Sequence, residues 1–259
     1  MRPREAIAYL SGVYQSDGYI EKGGRRFGLH VKDRDFVRAF VETSVTAWGK
    51  GVRIHTHCEG RYWRAVVYRR RGFGAIRVFE PRTQRQRALW LRGLFDGDGC
   101  ACASRLRVSR QAVGRSVRIY NTRKSVVIRA KRYLGRLGIS SVLWKRQHRG
   151  QHYGLKPVWD VRIRSSVENH TLFLNLVGSS ITRKLKSLRC VARYQIPTVY
   201  RSAGGRAGCA SRWGERKLCN RGHPWVAKNW CTTAKGTHRC RICARQFRME
   251  SYYRKKGAR

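Results

Sequence analysis

Two nine-residue phrases, LSGVYQSDG at 10–18 and LRGLFDGDG at 91–99, constrain this chain more than anything else in it. Each reads as a helix running into Asp-Gly. Small residues fall four apart, Gly12 and Ser16 in the first phrase, Gly93 and Gly97 in the second. One stripe of each helix therefore lacks bulk, and two such helices can touch nearly backbone to backbone. Gly18 and Gly99 suit left-handed helix caps, and Pro81 with Thr83 marks where the second helix begins. Just inside each expected cap stands an acid, Asp17 or Asp98. Side-by-side packing brings both carboxylates to one end of the contact, each beside a like charge and the negative end of its helix dipole. A shared cation would stabilise such a pair. Hard oxygen ligands suit Mg²⁺, and paired metal-bound carboxylates serve in-line phosphodiester hydrolysis. For either copy alone, an Asp-Gly that only turns the chain is the plainer alternative.

The repetition extends beyond these phrases. After the first come a polar ribbon (18–33), an apolar-periodic helix (35–49) and two alternating runs (51–58 and 62–70). After the second come a ribbon (105–121), a helix (125–138) and two strands (141–149 and 158–165). The expected fold class is α+β, with two αββαββ-like halves over residues 1–80 and 81–200. The second half adds a helix at 167–178, absent from the first, and then SSITRKLKSL. In VWDVRIRS, Trp159, Val161 and Ile163 alternate with Asp160, Arg162 and Arg164, which predicts one core face and one charged face. Arg53, His55 and His57, then Arg105 and Arg107, fall on comparable alternations.

Charge identifies the class of partner. The 58 Lys and Arg against 14 Asp and Glu give a net charge of +44. Self-repulsion on that scale is relieved by a polyanion, whose released counterions favour binding. A basic structural RNA-binding protein would carry the same charge but not the repeated phrase. No run approaches a membrane span, and MRPREAIAYL has no apolar signal core, so an unsecreted, soluble protein with no membrane partner is expected, cytoplasmic (bacterial or phage-encoded) or organellar. Five of the nine cysteines cluster near the C-terminus, which fits reduced thiols with one metal site better than disulfides.

LSGVYQSDG and LRGLFDGDG resemble the paired motifs of LAGLIDADG homing endonucleases in their single-chain form. Flanking wording such as VRIYNTRKSV and WDVRIRSSVENHTLFLNLVGSSITRK adds to the likeness, which covers roughly residues 6–190. The first motif departs at Gln15, where the family often has Asp; the acids at the family's metal-ligand positions, Asp17 and Asp98, are both present. The resemblance implies a monomer acting as a pseudo-dimer that straddles double-stranded DNA. It implies Mg²⁺ on Asp17 and Asp98, and Lys184 as a basic residue near the reacting phosphate, although a surface lysine is an alternative there. The first half has no clear counterpart to that lysine. The resemblance also implies that the sheet faces enter the major groove, with Arg53, His55, Arg105, Arg107, Gln111, Arg162 and Arg164 contacting DNA. A non-cleaving DNA- or RNA-binding regulator, or an intron maturase, on the same scaffold is the competing expectation.

A Gly-rich linker (201–214) leads to a small module (215–259). There LCNRGHPW and HRCRIC space Cys219, His223, Cys240 and Cys243 as two close pairs, the arrangement a tetrahedral Zn²⁺ needs. Cys231 or Cys209 could replace one ligand. So small a domain has too little core to fold without such a staple. RQFRMESYYRKKGAR follows as a basic helix or tail, with Arg245 and Arg248 available for phosphates.

Overall fold

A computed structural model describes residues 1–49, 52–105, 113–146, 157–193, 223, 230–232 and 238–256. The chain divides into two compact units, Met1–Gln195 and Ile196–Arg259.

In the first unit, α1 (Pro3–Gln15) starts on Pro3, where a missing N–H costs nothing, and Glu5 accepts from the Arg2 backbone N–H. Next come β1 (Gly18–Ile20), β2 (Arg26–Val31), α2 (Arg34–Trp48), β3 (Arg53–Glu59), β4 (Tyr62–Tyr68) and a four-residue helix, α3 (Gly74–Arg77). The second half repeats the order with α4 (Gln84–Asp98), β5 (Gly99–Arg105), β6 (Val113–Asn121), α5 (Lys124–Arg136), β7 (Ser141–Arg146) and β8 (Val158–Ile163). It then adds α6 (Val167–Leu172), which continues into a π-helical turn at Phe173–Val177, and α7 (Thr182–Arg193). Thr83 caps α4 by accepting from the Gln86 N–H, completing a capping box.

Each half forms an antiparallel four-stranded sheet, ordered β1-β2-β4-β3 and β5-β6-β8-β7. The two orders are the same permutation, so the halves are pseudo-symmetric. The fold is α+β. One core lies under each sheet, built in the first half from Tyr9, Phe27, Phe36, Phe40 and Phe73, and in the second from Trp90, Phe95, Ile119, Tyr133 and Phe173. Leu89 and Ile181, from the second half, pack into the core of the first.

Three expectations are corrected. Gly18 and Gly99 do not adopt the left-handed conformation; Gly99 is extended, at φ −86 and ψ 149. They are glycine for space, because a Cβ on Gly99 would lie 2.1 Å from the Phe95 ring and one on Gly18 would lie 2.9 Å from the Phe27 ring. Helix α1 ends at Gln15, so Asp17 follows the cap residue Ser16, whereas Asp98 is the last residue of α4. The first half also carries the short helix α3 where its longer counterpart is absent.

In the second unit, β9 (Trp230–Thr232) pairs antiparallel with β10 (His238–Cys240), and α8 (Arg241–Lys256) follows directly. Among the described residues no helix is long and apolar enough to cross a membrane.

Candidate functional site

The small residues of the repeated phrase form the contact between α1 and α4. A Cβ on Gly12 would lie 2.1 Å from the Trp90 carbonyl oxygen, and one on Gly93 would lie 2.2 Å from that of Tyr9. One on Gly97 would lie 2.3 Å from Ser16 Oγ and 3.2 Å from the Asp17 backbone nitrogen. The backbones are therefore in direct contact, and the C-terminal ends of both helices adjoin.

That adjoining end gathers the ionisable groups. Asp98 accepts from Asn121 Nδ2 at 2.7 Å. Burial pushes its carboxyl up to about 7; the Asn121 hydrogen bond pulls the other way and the Asp17 charge pushes it further up. Burial also raises the Asp17 carboxyl, against the pull of the nearby Lys184 charge. Asp98 ends α4 and Asp17 lies just past the end of α1, near enough for its charge to act on Asp98; two hard carboxylates whose ionisation burial resists are donors suited to a divalent cation such as Mg²⁺.

Lys184 is buried at the opening turn of α7. Its Nζ donates to the carbonyl oxygens of Phe95, Asp96 and Gly97 at 2.8, 2.6 and 2.9 Å, closing the C-terminus of α4. Desolvation lowers its pKa. The end of α1 is closed from the other half: Arg123 Nη2 and Asn121 Nδ2 donate to the Gln15 carbonyl at 2.7 and 2.9 Å. Arg123 is thus the cationic counterpart of Lys184 that sequence reasoning did not find. Its signal lay in VRIYNTRKSV, directly after the second ribbon. Asp96 was also missed. Fully buried, it accepts from Tyr9 Oη, Ser179 Oγ and the Ser180 N–H. It thereby ties α1 to the segment that leads into α7 and Lys184. Gln15 holds the matching position in the first half, where no such segment follows.

The pocket beside Asp98 is lined by Gln15, Ser16, Tyr120, Asn121 and Arg123. The pocket beside Asp17 is lined by His30, Lys32, Asp33, Arg183 and Lys184. Arg183 Nη2 donates to Asp33 at 2.8 Å.

The outer sheet faces, turned away from the cores, carry the predicted contacts. On the first, Arg53 and Arg26 both pair in register with Tyr68, from opposite sides of β4, while His55 pairs with Val66 and His57 with Arg64; all three of these β3 side chains are exposed. Arg26 stacks over Tyr68 at 5.2 Å and Lys32 over Tyr62 at 5.3 Å. At one end of this face a cleft is lined by Arg25, Arg26, Arg53, Tyr68, Arg69 and Arg70. On the second sheet Arg162 lies on the outer face and Arg164, just beyond β8, is exposed. Asp160 was expected among these solvent-facing charges but is fully buried, bound by its neighbour Arg162. Trp159, on the core face, is only half-buried, with Lys124 and Lys145 over its ring. Arg105 lies in β5; Arg107 and Gln111 lie outside the described residues.

In the second unit His223 Nδ1 lies 3.8 Å from Cys240 Sγ and 3.3 Å from Cys243 Sγ, and the three ligand atoms fall within 4.8 Å of one another. Zinc–sulfur and zinc–nitrogen bonds of about 2.3 and 2.0 Å at a tetrahedral angle require about 3.5 Å between S and N, so these residues fit one zinc ion. Cys219 and Cys209 lie outside the described residues, and Cys231 lies in β9. Arg245 is exposed on α8, which also contains Arg248.

Residues 85–178 match the LAGLIDADG-like domain family. No curated protein sequence matches the chain. Full-length DUF199/WhiA from Thermatoga maritima superposes with a TM-score of 0.52 at 18% identity, over 82% of this chain and 68% of that one. The N-terminal LAGLIDADG domain of DUF199/WhiA gives 0.50 at 17% identity, over 74% and 88%. I-DmoI in complex with DNA and Ca gives 0.52 at 15% identity, over 73% and 100%. At such identities the likeness is one of fold. Two pseudo-symmetric sheets, joined through glycine-lined helices that end in acids, give this chain the LAGLIDADG fold in its two-half form.

Proposed function

We propose that the chain is a site-specific, divalent-metal-dependent endonuclease acting on double-stranded DNA, a monomer whose two halves address the two strands. The observation that carries the reading is the glycine-mediated contact that sets Asp17 and Asp98 at adjoining helix ends, both with carboxyls raised by burial. A pure binder gains nothing from two adjacent acids on a surface that meets phosphates. Asp17 and Asp98 would hold Mg²⁺, which when bound supplies charge neutralisation at the reacting phosphate and a more acidic water. Asn121 orients Asp98. Lys184 and Arg123 place one cation beside each helix end, where negative charge develops. The arginine cleft and the cation–aromatic pairs on the first sheet would contact phosphates and base edges. I-DmoI, which has a similar fold, is described as a homing endonuclease and was captured with DNA and Ca. His223, Cys240 and Cys243, with Cys219, would hold a structural Zn²⁺ in the C-terminal unit, with Arg245 and Arg248 extending the grip on DNA.

One observation favours a second reading, a non-cleaving DNA-binding regulator or maturase: all three Nζ donors of Lys184 are spent on the end of α4. Cleavage decides between the two. Full-length protein with Mg²⁺ and a duplex target library should linearise a subset, and Asp98→Asn should bind the same targets without cutting. Binding by the wild type without cleavage establishes the regulator. For the metal in the second unit, elemental analysis should find about one zinc per chain, and Cys240→Ser should lose it. Zinc-free native protein refutes that assignment.

A further inference from the structure

The two outer sheet faces are not chemically equivalent. Alignment of the two registers on Gly18 and Gly99 sets Arg64 of the first sheet against Asp160 of the second, His57 against Trp144 and Val66 against Arg162. Only the second sheet therefore carries an acid, an arginine and an indole together at this place. Asp160 is 0% exposed and accepts from Arg162 Nε at 2.9 Å. The Arg162 guanidinium lies over the Trp144 ring, 4.7 Å from its centroid. Trp144 is 52% exposed and the Arg162 side chain 32%. One edge of the guanidinium is thus held by a buried carboxylate and its plane is held by an indole. Among the described residues its two terminal nitrogens take no hydrogen bond.

From this geometry we propose that Arg162 is a base-reading residue, held by Asp160 and Trp144 to recognise a guanine edge in the major groove of the half-site facing the second sheet. The inference rests on the DNA-binding reading and deepens it. With Nε committed, the free donors are the two parallel N–H groups at the tip. A guanine presents two adjacent acceptors, N7 and O6, on its major-groove edge, and no other base does. Asp160 and Trp144 fix the torsions that a free arginine would have to lose on binding, so the contact forms without that ordering cost. Lysine cannot replace it, because an ammonium offers neither the paired tip donors nor an Nε for Asp160. The first sheet, with Val66 at the matching position, has no such reader. The target is accordingly asymmetric.

The test is selection of bound duplexes from a randomised library by the full chain without Mg²⁺, compared with Arg162→Lys and Trp144→Ala. Wild type is expected to enrich guanine about 10- to 100-fold at one position in one half-site. Arg162→Lys should reduce that preference to a few-fold while preserving other positions and the salt dependence of affinity. Trp144→Ala, which keeps the arginine, should reduce it by a smaller factor. If Arg162 only neutralises Asp160 within the sheet, Arg162→Lys lowers the melting temperature and leaves every base preference intact, and the inference is overturned. Absence of duplex binding by the wild type overturns the DNA-binding reading as well, so the two failures are distinguishable.

Discussion

Gly93→Ala should drive the two halves apart. An added Cβ would sit 2.2 Å from the Tyr9 carbonyl oxygen and 2.9 Å from the Val13 nitrogen, whereas real contacts stay beyond 3.0 Å, so α1 and α4 must separate by about 0.8 Å. Both obstacles are backbone atoms, and no rotamer change relieves them. The cost belongs at the upper end of overpacking, about 3 kcal/mol, offset by about 1 kcal/mol from alanine's better helix propensity. A net loss of about 2 kcal/mol lowers the melting temperature by about 4–8 °C in a domain of this size. Gly135 is the internal control. It lies on the exposed side of α5 with nothing within 4 Å of its would-be Cβ, so Gly135→Ala should stabilise by about 0.5–1 kcal/mol. Circular dichroism melts of both variants, with Mg²⁺-dependent cleavage measured alongside, make the comparison. Cleavage should fall for Gly93→Ala at temperatures where it remains folded, because the carboxylate pair is displaced. A Gly93→Ala melting temperature at or above wild type would refute the direct backbone contact and the site built on it.

Two further outcomes follow from the ionisable groups. The Asp98 carboxyl titrates at about 7 in the folded chain against an ordinary value of 3.8, so between those values the folded state holds a proton that the unfolded state has released. Its contribution to stability therefore falls as pH rises from about 4 to about 7 and is flat above. Melting temperatures across that range should decline less steeply for Asp98→Asn than for wild type, and Mg²⁺ at pH 7.5 should stabilise wild type more than the variant. Lys184→Met removes the donor to three carbonyls at the end of α4 and should cost about 2–3 kcal/mol in denaturant unfolding. An unchanged midpoint would show that Lys184 does not close that helix.

Periodicity and the repeated phrase were enough to place most helices and strands within a few residues, because amphipathic alternation is a local property that survives burial. The small-residue stripe identified the contact between the halves for the same reason: a missing side chain is visible in the sequence whatever surrounds it. Backbone conformation at Gly18 and Gly99 was not visible. A glycine in sequence does not distinguish a left-handed turn from a crowded extended one, and here Phe27 and Phe95 do the crowding. Asp160 was misplaced because alternation assigns a side chain to a face, while its burial depends on Arg162 beside it in the strand and on the other side chains that share that outer face.

What the sequence alone determined is the duplication, the α+β architecture, the cationic character and the glycine-lined contact between the two motif helices. Tertiary structure decided which cation serves which helix end. Arg123 reaches Gln15 across more than a hundred residues and Lys184 reaches Phe95 across nearly ninety; the first hydrogen bond exists only once the two halves have met, the second only once α7 has folded back onto the end of α4. Electrostatic partners are set by distance in space, and in a chain with 58 basic residues nothing in their order along the sequence distinguishes the two that matter at this site.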